Sequence, residues 1–137
     1  MMGSLRNQVL KGMRILAMED QEDLREVLVV LLEQQGAEVI GCSSAREAFQ
    51  VLISGTSIDA AVFDISMPGE DGLALVCRWR EWEARRTPAH LPVIALTALV
   101  SLDMPQRCAA AGFDDYLSKP VSSDVLFRTL RRLAPLH

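Results

Sequence analysis

The sequence predicts a doubly wound α/β domain, with five parallel strands in one sheet and helices on both faces. Two observations carry this. Short apolar runs alternate five times with segments of helical period along the 137 residues. Several of those runs are apolar at consecutive positions, the pattern of strands buried on both faces of a parallel sheet.

Met13 to Met18 is the first apolar run, and it stops abruptly at Glu19-Asp20. A long helical pattern follows, with Leu24, Val27, Leu28, Leu31 and Leu32 at three- and four-residue steps. Asp20 or Gln21 stands near its start, and Gly36 supplies a stop. Ala37 to Cys42 reads as the second strand. Ser43 or Ser44 then caps a helix that turns Ala48, Leu52 and Ile53 to one side.

Ile58 to Phe63 is the third strand, broken by Asp64. The loop from Met67 to Gly72 leads into a helix carrying Leu73, Val76 and Cys77, which is expected to dissolve into the polar stretch from Glu81 to His90. Pro92 to Leu96 is the fourth strand, ending at Thr97. A short helix runs from Asp103 to Ala111 and stops at Gly112. Phe113 to Leu117 is the fifth strand, followed by Lys119-Pro120. The last helix carries Val125, Leu126, Thr129, Leu130 and Leu133 on one stripe. Right-handed crossovers restrict the strand order, and the flavodoxin-like order 2-1-3-4-5 is the leading choice. The domain is expected over 13–134, with 1–12 a leader, natural or introduced by cloning, and 135–137 a tail.

Composition narrows the function. A chain that is 50% hydrophobic has ample material for a core without disulfides or a structural metal. Cys42, Cys77 and Cys108 are odd in number, widely spaced and without a CxxC pair, so they read as reduced thiols of a cytoplasmic protein. A net charge of −4 and a pI near 5.1 argue against direct nucleic-acid binding. Arginines do cluster at Arg78, Arg80, Arg85 and Arg86 and again at Arg128, Arg131 and Arg132. Those clusters are solvated helix faces or docking sites for an acidic partner. No apolar run reaches the length of a membrane span, so membrane contact is not expected.

In such folds the active crevice lies outside the carboxyl ends of the strands. Those positions hold Glu19 and Asp20 after the first strand, Asp64 after the third, Thr97 after the fourth and Lys119 after the fifth. Crowded carboxylates repel unless a cation offsets them, and Mg²⁺ prefers oxygen ligands. Asp20 and Asp64, with Glu19 direct or through water, therefore read as a magnesium site. The same set suits phosphoryl transfer: a carboxylate nucleophile, with metal and lysine compensating the moving charge. Asp64 is the best nucleophile because its strand is central. Thr97 and the backbone N–H of Ala98 can donate to phosphoryl oxygens.

With these residues in place the chain resembles the receiver domain of bacterial two-component systems. The resemblance rests on Met18-Glu19-Asp20, on Phe63-Asp64-Ile65-Ser66-Met67-Pro68-Gly69-Glu70-Asp71-Gly72, on Ala95-Leu96-Thr97-Ala98, and on Asp114-Asp115-Tyr116-Leu117-Ser118-Lys119-Pro120, and it runs from Arg14 to Leu133. It implies that Asp64 accepts phosphate from a sensor histidine kinase or a histidine-phosphotransfer protein, and that Glu19 and Asp20 bind Mg²⁺ together with the backbone carbonyl of Ser66. It further implies that Thr97 moves toward the phosphoryl group, that Lys119 pairs with it, and that the Tyr116 rotamer follows. Ser66 and Leu99 match the positions bordering the path of a hydrolytic water, and Leu99 has no polar group with which to orient one.

Two departures stand out: Glu19 occupies a position where Asp is commoner, and Gly69-Glu70 replaces a bulkier apolar residue before Asp71-Gly72. The stretch from Glu81 to Ala98 resembles receivers attached to hybrid sensor kinases; a stand-alone regulator and the front end of a larger one stay open. So do a homodimer and a degenerate, non-phosphorylated interaction module.

Overall fold

Ten elements alternate along the chain in a computed structural model that describes residues 8–65, 71–98 and 101–135. They are β1 (Arg14–Met18), α1 (Glu22–Gln34), β2 (Glu38–Cys42), α2 (Ala45–Ile53), β3 (Ala60–Asp64), α3 (Asp71–Arg86), β4 (Val93–Thr97), α4 (Met104–Ala111), β5 (Asp115–Ser118) and α5 (Ser123–Leu133). The strands form one sheet in the order β2-β1-β3-β4-β5, with every pair parallel. This is the expected flavodoxin-like arrangement.

Strand side chains alternate between two cores. Leu16, Met18, Ala61, Phe63, Val93 and Ala95 face α2, α3 and α4. Ile15, Ala17, Ala60, Val62, Ile94 and Leu96 face Leu28 and Leu32 of α1 and Leu126, Phe127 and Leu130 of α5. All five residues of β3 and of β4 are buried, as consecutive apolar positions predict for the middle of a parallel sheet.

The starts of α2 and α5 follow capping chemistry, whereas Gln21 before α1 and Asp103 before α4 make no side-chain cap bond. Ser44 Oγ accepts from the Glu47 N–H at 3.1 Å, while Glu47 Oε1 accepts from the Ser43 N–H at 2.7 Å. Ser122 Oγ accepts from the Val125 N–H at 3.1 Å to open α5. Gly112, at φ 115°, ends α4 in the left-handed region, where a Cβ would also come within 2.7 Å of Arg80 Cγ. Burial pushes the Cys42 thiol up to about 11.

The structure corrects several expectations. The third helix does not dissolve at Glu81; it continues to Arg86, because Leu75, Val76, Trp79 and Glu83 form one buried stripe. Cys77 points outward from it. Leu24, Val27, Ile53 and Val125 are also exposed, so the stripes of α1, α2 and α5 are narrower than the sequence pattern. Strand edges move by one or two residues, and Asp64 closes β3 from within. Packing also begins ahead of β1. Leu10 is fully buried, its N–H donates to the Gln35 carbonyl at 2.9 Å, and Arg131 Nε donates to the Val9 carbonyl at 2.7 Å.

Candidate functional site

Glu19, Asp20, Asp64, Thr97 and Lys119 each sit at the end of a strand or within two residues past it. One residue past β1, the Glu19 N–H still donates to the Cys42 carbonyl at 3.0 Å, which holds Glu19 against the end of β2. Its carboxylate is almost wholly buried and accepts from the Gln21 N–H at 2.9 Å at the start of α1. Arg25, one turn into α1, donates to the Glu19 carbonyl at 3.0 Å. Asp20 is exposed.

Asp64 is the last residue of β3, 8% exposed and opposite Leu96 in register. Thr97 closes β4 with no exposed surface and stands opposite Ser118. The Lys119 N–H donates to the Thr97 carbonyl at 2.7 Å, so the turn after β5 is tied to the end of β4. From there the Lys119 ammonium donates to Asp64 Oδ2 and lies 3.7 Å from Glu19 Oε1. Three charged groups from the ends of β1, β3 and β5 thus meet, half-buried or buried, at one point.

The electrostatics follow from that crowding. Burial first, and then hydrogen bonding to Asp64, push the Glu19 carboxyl up to about 7, while the Gln21 N–H pulls it down. Two carboxylates in contact at low exposure are an oxygen-only donor set that a hard divalent cation would relieve. Among the described residues no three His, Cys, Asp or Glu side chains form a closed cage. Any ion there would complete its shell with water and backbone oxygen.

The fold brings Glu19, Asp64, Thr97 and Lys119 together, with Ala98 exposed immediately after Thr97. Tyr116 is half-buried on β5, opposite Ala95, and packs against the core on the α2–α4 side. Ser66 and Leu99 lie outside the described residues. A cavity of about 420 Å³ opens at the other end of the strands, bounded by Met13, Ile58, Leu91 and Leu133, and contains none of the site residues.

Two features had no sequence signal. One is the Arg25 bond to the Glu19 backbone. The other is a network that fixes the amino end of β4. Asp114 Oδ2 accepts from the Val93 N–H at 2.8 Å and from Arg80 at 2.9 Å, and Asp114 Oδ1 contacts His90 Nε2 at 2.6 Å. Glu83 accepts from Arg80 at 2.8 Å and from the Leu91 N–H at 2.6 Å. Only the three-residue step from Arg80 to Glu83 is visible in the sequence.

The family model of the response regulator receiver domain matches residues 15–131. This chain belongs to that family. The transcriptional regulatory protein PhoP of Escherichia coli O157:H7 is 35% identical over 121 residues, 88% of this chain and 52% of PhoP. The sensor protein GacS of Pseudomonas syringae pv. syringae is 34% identical over 109 residues, 80% of this chain and 12% of GacS. An uncharacterized 14.6 kDa protein of Leptolyngbya boryana is 38% identical over 125 residues, 91% of this chain and 92% of that protein. A response regulator receiver domain protein from Clostridium thermocellum superposes with a TM-score of 0.78 at 27% identity, covering 89% of this receiver and 94% of that chain. This receiver therefore spans only part of the regulator and the sensor it matches. The similarity reaches both kinds of protein: the sensor that the resemblance to hybrid-kinase receivers pointed to, and the regulator that stayed open beside it.

Proposed function

We propose that this receiver takes a phosphoryl group from a phosphohistidine donor onto Asp64 in a Mg²⁺-dependent reaction and signals by a conformational shift. The observation that supports it best is the meeting of the Lys119 ammonium with the buried carboxylates of Asp64 and Glu19. An Asp64 carboxylate oxygen attacks phosphorus, the P–N bond to the donor imidazole breaks, and the freed ring nitrogen keeps the electron pair and takes up a proton. The product is an aspartyl phosphate and a neutral histidine.

Glu19, Asp20, Asp64 and the Ser66 carbonyl would hold Mg²⁺, which when bound offsets negative charge on the phosphoryl oxygens. Lys119, which contacts Asp64, would exchange that contact for one with a phosphoryl oxygen. The Thr97 hydroxyl and the Ala98 N–H donate to the other oxygens. Because the Lys119 N–H is tied to the Thr97 carbonyl, movement of Thr97 is transmitted to β5 and to Tyr116, so phosphate shifts an existing equilibrium.

The donor is a protein, a sensor histidine kinase or a histidine-phosphotransfer protein, and needs a footing beside the site. On α1, which starts two residues after Asp20, Leu24, Val27 and Val30 are 44%, 56% and 44% exposed. That apolar surface is the footing. Intact-mass measurement with a small phosphodonor, with and without Mg²⁺ and in Asp64→Asn, tests the proposal. Uptake of one phosphoryl group by the wild type and none by the variant is expected. No uptake under any condition would instead leave a receiver-like module that only binds partners.

A further inference from the structure

From the side of the domain formed by α2 and α3, we infer that this receiver carries a second docking surface, an arginine-faced aromatic cleft that takes an acidic peptide segment of a partner protein. The cleft is about 210 Å³ and is lined by Phe49 of α2 and by Arg78, Glu81, Trp82, Arg85 and Arg86 of α3. Its floor is aromatic: Phe49 and Trp82 meet edge to face at 6.4 Å. Two guanidiniums are stacked on that floor. Arg78 lies 4.3 Å from the centre of the Phe49 ring, and Arg86 lies 3.9 Å from that of Trp82.

Stacking does more than place positive charge there. It takes water from the ring-facing side of each guanidinium while its N–H edge stays available to a partner. A planar carboxylate matches that edge with two parallel hydrogen bonds. Among the described residues, no carboxylate lies within 4.0 Å of Arg78, Arg85 or Arg86, although Arg14 and Arg132 each have one and Arg80 has two. Arg85 and Arg86 gain a little from the carboxyl end of α3, but this explains neither the rings beneath them nor the cleft.

Charge favours a peptide over a nucleic acid. The chain carries −4 overall, and Glu81 stands within the cleft itself. A continuous phosphodiester chain meets repulsion from both, whereas a peptide can space its carboxylates around Glu81 and place an apolar side chain against Phe49 and Trp82. Because α3 runs back along the sheet, its last turns lie toward the amino end of β4, away from Asp64. Variants here leave phosphate uptake unchanged, so docking and phosphorylation fail separately.

The test uses the full chain and a short peptide of Glu and Asp around a central Leu, a Gln-for-Glu and Asn-for-Asp version of it, and an oligothymidylate. Amide shift mapping should move Phe49, Arg78, Trp82 and Arg86 with the acidic peptide and not with the amide version. Binding should weaken about tenfold in each of Arg78→Ala and Arg86→Ala, the loss expected for one bidentate charged pair. It should also weaken as salt is raised. Shifts elsewhere, equal binding of the amide peptide, tighter binding of the oligothymidylate, or unaltered affinity in both folded variants would each overturn the assignment. The shift map on the unaltered chain decides the matter even where a variant does not fold.

Discussion

Replacing Arg80 by Ala should remove a substantial part of the stability of this receiver, through a carboxylate left behind more than through the arginine itself. The Arg80 side chain is 15% exposed and makes three bonds, to the Gly112 carbonyl at 3.0 Å, to Glu83 at 2.8 Å and to Asp114 at 2.9 Å. Asp114 keeps the Val93 N–H and His90 after the substitution. Glu83, whose side chain is 8% exposed, keeps the Leu91 N–H at 2.6 Å, and among the described residues its next polar partner is His90 Nδ1, 4.0 Å away. Breaking a buried ion pair on one side costs about 3–5 kcal/mol, and the residual access of water to Arg80 puts this case near the lower end, about 3 kcal/mol. Against a total stability of about 5–15 kcal/mol, the urea midpoint should fall by about 1.5 M for an m-value of about 2 kcal/mol/M. Adding Glu83→Gln to Arg80→Ala removes the stranded charge and should recover at least half of the loss. A midpoint shift below about 0.3 M in Arg80→Ala, or no recovery in the double variant, would refute the reasoning.

Other expectations follow from the site and its surroundings. In phosphorylated Lys119→Ala, which keeps the backbone bond to Thr97 but loses the ammonium that pairs with the phosphoryl group, chemical-shift changes should stay near Asp64 instead of spreading through β4, α4 and β5 as in the wild type; the same spread in both would contradict a role for the Lys119 ammonium in the linkage. Val27→Asp should slow transfer from a phosphohistidine protein about tenfold or more while leaving uptake from a small phosphodonor unchanged, because only the protein donor uses the apolar face of α1. Equal slowing with both donors would remove that face as the docking surface. Leu99→Glu and Leu99→Asn should speed loss of phosphate from the isolated receiver at saturating Mg²⁺ by giving an attacking water a polar partner; a decay rate unchanged or lowered in both would end that proposal.

The sheet was legible because its central strands are continuous apolar runs, and nothing but burial on two faces accounts for Ala60 to Phe63 and Val93 to Leu96. The site was legible for a related reason: Glu19, Asp64, Thr97 and Lys119 are polar residues placed directly at the ends of such runs. The stretch from Glu81 to His90 was not. It looks like a solvated loop by composition, yet Glu83 turns inward and serves as acceptor for both Arg80 and the Leu91 N–H. A buried carboxylate with partners from across the fold has no local pattern to announce it. The apolar residues of α1 misled in the opposite sense. Leu24 and Val27 continue the helical stripe of Leu28 and Leu32, but the sheet covers only the latter pair, and the remainder faces solvent beside the site.

The central claim is that Asp64 is the phosphoacceptor in a Mg²⁺-dependent site. Intact mass of the wild type and of Asp64→Asn, each incubated with a small-molecule phosphodonor with Mg²⁺ or with a chelator, tests it most directly. The account predicts the mass of one phosphoryl group added to the wild type with Mg²⁺ only, labile to base, and none added to Asp64→Asn. Equal incorporation in the two proteins, or incorporation unaffected by the chelator, would contradict it.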